Sequence, residues 1–163
     1  MKGKKIDACK KAGIALAYKA INEKDKVGLI VFGSEVKEIV EPTSDFTRLL
    51  KEITRIRASK ETDIVSTLQK AIEIFPSENI TKHLILITDA LPTKGDEPEK
   101  STLEEASIAR SKGITISLVG INLDEKGKKL AEKIVEIGEG RLYVVRNLEN
   151  VDKIVLEDYY GMS

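Results

Sequence analysis

Asp89 is the residue best placed to do chemistry. It closes the apolar run His83-Leu-Ile-Leu-Ile-Thr88, which reads as a strand buried on both faces. Other oxygen-bearing side chains fall at comparable places. Gly33 and Ser34 follow the run Val27-Gly-Leu-Ile-Val-Phe32, Asn122 follows the run from Ile114 to Ile121, and Thr62 opens a helical stretch. In open parallel sheets, ligands bind beyond the carboxyl ends of the strands, where strand order reverses. One carboxylate with hydroxyls and backbone carbonyls suits a hard cation such as Mg²⁺ or Mn²⁺ rather than zinc. Each residue also has a plainer role. Thr62 can be the N-cap of its helix. Asp89 can order the turn after its strand, and Ser34 suits a turn better than a ligand position.

Other chemistry is poorly supported. His83 is the single histidine and begins its strand, away from the carboxyl-end crevice. Neither a Ser-His-Asp triad nor a histidine metal site is expected. Cys9 lies on an apolar helical stripe and reads as a small core residue. The lysines at 2, 4, 5, 10 and 11, and those at 126, 128 and 129, read as solvated helix faces. No G-x-x-x-x-G-K-[ST] motif occurs, and Gly138-Glu-Gly140 is a helix-to-strand turn. Tyr159 and Tyr160 either cap the core or mark a contact.

The elements that must position these residues follow from periodicity. Ile6, Cys9, Gly13, Leu16, Ala17 and Ala20 predict a helix over 4–22. A strand over 27–32 is followed too closely by one over 36–40 for a helical crossover, so the pair reads as a hairpin with an antiparallel edge strand. Pro42-Thr43-Ser44 is expected to open a helix with the stripe Phe46, Leu49, Leu50, Ile53 and Ile56. A further helix carries Ile64, Val65, Leu68, Ile72 and Phe75 and stops at Pro76. Beyond the strand at 83–88 come a polar loop over 91–100 and a helix over 102–112 closed by Gly113. A strand over 114–121, a helix over 123–137, a strand over 142–145 and a helix over 151–159 complete the chain. Such alternation predicts an α/β fold, doubly wound, with a mostly parallel sheet, helices on both faces and one antiparallel edge strand.

Composition bounds the rest. The 163 residues suit one domain spanning 1–163. Lys plus Arg and Asp plus Glu are each 27, so formal net charge is zero and overall attraction to nucleic acid or an anionic membrane is not expected. No apolar run is long enough to span a bilayer, and one cysteine allows no internal disulfide. A cytoplasmic location is expected. Abundant Lys and Glu, with Gln only at position 69, point to a heat-loving source.

Asp25-Lys-Val-Gly-Leu-Ile-Val-Phe32, Pro42-Thr43, Glu61-Thr62 at a helix start, and Leu84-Ile-Leu-Ile-Thr-Asp89-Ala-Leu-Pro92-Thr together resemble the von Willebrand factor A (VWA) domain family along nearly the whole chain. The strand ending in Thr-Asp with Leu-Pro-Thr after it is the most specific piece. The resemblance implies a non-catalytic protein-interaction module. It implies a metal-ion-dependent adhesion site holding Mg²⁺ (or Mn²⁺), where Thr62 and Asp89 match the family's Thr and Asp. Ser34, Leu91, Pro92 and Asn122 would then meet the partner. Ala90 replaces the glycine common after the Asp.

A D-x-S-x-S motif, Met and a lysine-rich helix follow the first strand in many members. Here Met1 is followed directly by Lys2-Gly-Lys-Lys-Ile6. The first strand and its motif are thus expected to be missing, leaving a weak metal site or none. The strands at Val27 and Leu84 would lose their central neighbour. They are expected to pair with each other, with a second copy, as in a homodimer through exposed edges, or with an upstream strand. The resemblance also implies an intracellular assembly with an AAA+ ATPase, including the metal-chelatase type. The alternatives are a small Mg²⁺-dependent phosphoryl-transfer enzyme using Asp89, and a metal-independent scaffold. Against the enzyme, no second strand-end carboxylate and no well-placed lysine are expected beside Asp89.

Overall fold

A computed structural model of the chain describes residues 4–32, 36–57, 63–91 and 97–162. Helix α1 (Lys4–Asn22) has the bounds its periodicity predicts, and it buries Ile6, Ala12, Ala17 and Ala20. Lys24, at φ 70°, turns the chain into β1 (Val27–Phe32). Strand β2 (Val36–Thr43) returns antiparallel, with Val27 opposite Thr43 and Ile30 opposite Ile39. The hairpin is as expected, but Pro42-Thr43 ends β2 instead of opening a helix. An edge strand tolerates proline because its outward side needs no ladder donor. Helix α2 (Phe46–Thr54) starts from Asp45, whose carboxylate accepts the Arg48 N–H at 3.2 Å.

Helix α3 (Ile64–Ile74) is capped in the same way by Asp63, which accepts the Ser66 N–H at 3.0 Å. The cap expected of Thr62 therefore falls one residue later. Then come β3 (Lys82–Thr88), α4 (Glu97–Ser111), β4 (Ile114–Ile121), α5 (Glu125–Gly138) and β5 (Glu139–Val145). A 3₁₀ turn at Leu148–Asn150 leads into α6 (Val151–Met162). Helix α4 begins earlier than expected and takes Pro98 into its first turn, where a missing N–H leaves no bond unmade.

Strands β3, β4 and β5 form a parallel sheet, with Leu86 opposite Leu118 and Val119 opposite Tyr143. Strand β4, paired on both edges, is buried at every residue. Its side chains alternate between two cores. Ile114, Ile116 and Leu118 pack with α3, α4 and α5 through Ile64, Leu68, Ala106, Leu130 and Ile134. Val119 and Ile121 pack on the other face with α1 and α6 through Ala12, Val151 and Val155. At the register shift between Ile116 and Leu118, Gly140 lies so close to the Ile116 carbonyl that a Cβ would overlap it.

The described residues hold two sheets, β1–β2 and β3–β4–β5, and no ladder joins them. Direct pairing of β1 with β3, one of the three expected solutions, is not adopted. Helix α1 packs against both α6 and α2. Leu29, Ile30 and Val31 of β1 and Leu84, Ile85 and Ile87 of β3 are only partly buried, although their types match the fully buried β4.

Candidate functional site at the carboxyl ends of two strands

Thr88, buried at the end of β3, fixes the turn that follows. Its hydroxyl donates to the Ala90 carbonyl at 2.8 Å and accepts the Ala90 N–H at 3.2 Å. This clamp projects Asp89 from the sheet and returns Leu91 to the core. At the end of β4, Asn122 takes φ 52°, and its N–H donates to the Val145 carbonyl at 2.9 Å. The two turns enclose a crevice of about 160 Å³ lined by Asp89, Ala90, Leu91, Asn122, Leu123 and Asp124. Three residues singled out from the sequence, Asp89, Leu91 and Asn122, thus come together. Ser34, Thr62 and Pro92 lie outside the described residues.

Two charged groups here escaped sequence reading. Asp124 caps α5, accepting the Gly127 N–H on Oδ1 at 2.7 Å. An Asp before Glu125-Lys-Gly127 is a recognisable cap signal, masked by the apolar Leu123, where the apolar pattern of the helix begins. Lys5 reaches back from the first turn of α1 and sets its Nζ 3.6 Å from Asp89 Oδ2. The expectation of no well-placed lysine beside Asp89 is therefore corrected, while the nearby carboxylate of Asp124 belongs to a helix cap and not to a strand end. No local pattern marks Lys5, because the contact depends on how α1 crosses the sheet.

Among the described residues, the donor set around Asp89 does not fit a divalent cation. Such an ion takes about six oxygen ligands, with several carboxylates where the protein alone holds it. Among the described residues no group of three or more His, Cys, Asp or Glu side chains is arranged to hold a metal. Asp124 Oδ1 is committed to its helix, and an ammonium already stands beside Asp89.

The other buried polar group lies elsewhere. Asp158, on α6, is wholly buried. Its Oδ2 is 2.9 Å from His83 Nε2, and its Oδ1 takes the Tyr143 hydroxyl at 3.2 Å and lies 3.4 Å from Arg141 Nε. Burial pushes this carboxyl up, but hydrogen bonds from His83, Ser117 and Tyr143 and the His83 charge outweigh burial and hold it below its ordinary value. Ser117 Oγ is also 3.1 Å from the same His83 Nε2. A Ser-His-Asp relay needs the two ring nitrogens to face different partners, so this cluster docks a helix and has no hydrolytic geometry. Burial raises the Cys9 thiol to about 12, which keeps it protonated and unreactive at neutral pH.

The comparisons agree with this architecture. The model of the von Willebrand factor type A domain matches residues 1–157. No curated protein matches the sequence. Several solved structures share the fold. The conserved hypothetical protein BatB from Bacteroides thetaiotaomicron has 22% identity and a TM-score of 0.74, over 96% of this chain and 87% of that one. A von Willebrand factor type A protein from Catenulispora acidiphila has 18% identity and a TM-score of 0.79, over 94% of this chain but 37% of that one. The vWF domain of the type V pili tip protein Mfa5 from Porphyromonas gingivalis has 13% identity and a TM-score of 0.78, over 100% of this chain and 92% of that one.

Proposed function

The chain belongs to the von Willebrand factor type A domain family, and on that premise we propose that it is a non-catalytic protein-interaction module whose partner docks on the carboxyl-end crevice. The observation that carries this reading is the convergence of Asp89, Leu91 and Asn122 on one opening, with Lys5 and Asp124 beside them. A shallow crevice whose polar groups are held by turns and a helix cap suits a protein partner better than a reaction. Cys9 is not activated, Asp124 is committed as a cap, and His83 is tied to Asp158. These same commitments weigh against phosphoryl transfer, which needs a second free carboxylate to hold Mg²⁺ beside Asp89. Thr62 and Mg²⁺ enter this reading only through the family resemblance.

An AAA+ ATPase, including the chelatase type, is the partner class implied by the resemblance. A cytoplasmic setting is supported by the single cysteine, which forbids an internal disulfide. No helix among the described residues is long and apolar enough to cross a membrane. The partly buried β1 and β3 support a domain that lacks one strand, with a second copy or a further strand covering the edges.

Affinity capture with the intact chain as bait tests the reading. Proteins retained by the wild type should be lost on the order of tenfold or more with Asp89→Ala, while thermal unfolding of the variant stays close to wild type. Equal capture by both baits would refute the crevice as the docking surface.

A further inference from the structure

We infer that the pocket where α1 and α6 end takes an arginine side chain of a partner protein, its guanidinium held by two carboxylates and two tyrosine rings. The cavity, of about 270 Å³, is lined by Glu23, Asp25, Tyr159 and Tyr160. Among the described residues no lysine or arginine lines it. Arg141, beside Gly161 on α6, is turned to the Asp158 carboxylate instead. The 19 residues of α1, about 28 Å of helix, separate this pocket from Lys5 and Asp89, so its fate does not depend on the crevice. Its walls are fixed in advance. The Glu23 and Asp25 N–H groups donate to the Lys19 and Ala20 carbonyls at 3.0 and 2.8 Å. The Tyr159 hydroxyl donates to Asp25 Oδ2 at 2.6 Å. The Tyr159 and Tyr160 rings lie 5.3 Å apart, tilted by 55°.

Every lining group favours a cation. Carboxylates and the faces of aromatic rings both attract one. Two helix C-termini add their negative dipole ends, and α6 has no basic residue in its last turn to offset its own. Burial raises the Tyr159 hydroxyl, and the bond to Asp25 and the charges of Asp25 and Glu23 raise it further, so a negative field already acts there. Tyr160, 46% exposed, presents aromatic surface to solvent at this opening. A divalent metal would need about six oxygens, whereas Asp25 Oδ2 is engaged by Tyr159. A planar guanidinium stacks on aromatic rings and forks to carboxylates, which an ammonium does not. The cavity falls just below the roughly 300–1,000 Å³ of small-molecule sites, which suits one side chain. Free arginine would bring its own carboxylate against Glu23 and Asp25; an arginine within a chain does not.

The probe is an acetylated, amidated Gly-Arg-Gly peptide, titrated into the intact labelled chain and followed by amide chemical shifts. Saturable shifts are expected at Glu23, Asp25, Tyr159 and Tyr160. The neutral citrulline counterpart should bind on the order of tenfold more weakly or worse, and free arginine more weakly than the peptide. Glu23→Gln and Tyr160→Leu should each weaken binding about threefold, and Tyr160→Phe should keep it. Melting temperatures close to wild type check that the variants fold; the citrulline comparison needs no variant. Absence of saturable shifts at these residues, equal binding of the citrulline peptide, or unchanged affinity in both Glu23→Gln and Tyr160→Leu would overturn the inference. Free arginine binding as tightly as the peptide would overturn the assignment to a protein side chain.

Discussion

Replacing Asp158 with alanine should destabilise the fold by about 3–5 kcal/mol, the range for removing one partner of a buried ion pair. The loss is large because three elements meet on one carboxylate. It holds α6 to His83 of β3 and to Arg141 and Tyr143 of β5. Without it, His83, 11% exposed, keeps only Ser117 Oγ on its Nε2, and the Tyr143 hydroxyl loses its acceptor. Denaturant unfolding followed by circular dichroism reads the change directly.

The same group sets an acid limit. Its folded-state carboxyl lies below the ordinary value, so the unfolded chain binds the proton more readily. The stabilisation is complete above the ordinary carboxylate range, near about 4, and is lost as pH falls through the folded-state value. The wild type should lose stability across that acid window. Asp158→Asn, less stable at neutral pH, should show a shallower fall. Parallel pH curves for the two proteins would contradict this assignment.

Leu118→Ala should cost about 2–5 kcal/mol, the range for truncating a buried leucine. Leu118 is fully buried and lies between Leu86 and Leu142 on the neighbouring strands. The same truncation at Ile87 should cost clearly less. Ile87 is only partly buried on β3, whose ladder partners among the described residues lie on one side alone. Equal losses at the two positions, measured by the same unfolding assay, would show that β3 is as enclosed as β4.

Much of this fold was legible because each signal was local. Lysines between small apolar residues marked α1 to its ends, and the unbroken run Ile114–Ile121 marked the central strand. Prolines caused the boundary errors. Pro42 suggests a helix opening but lies near the end of a strand, while Pro98 suggests a loop but lies in a helix. In both places the backbone N–H that proline lacks was not needed. Two aspartates one residue from the expected starts, Asp45 and Asp63, give the true caps.

The site was legible only in outline. Asp89, Leu91 and Asn122 sit at strand ends, and strand ends can be counted from the sequence. Lys5 beside Asp89 and His83 beside Asp158 join residues far apart in the chain. Their pairing depends on helix crossings that periodicity does not encode.

The most direct test of the central proposal is amide chemical-shift mapping of the labelled chain against its captured partner. The expected result is a cluster of perturbed amides at Asp89, Ala90 and Leu91 and at Asn122, Leu123 and Asp124, around the crevice that the ends of β3 and β4 form. Perturbations gathered instead around Glu23, Asp25, Tyr159 and Tyr160, which line a separate pocket where α1 and α6 end, with the crevice amides unmoved, would contradict it.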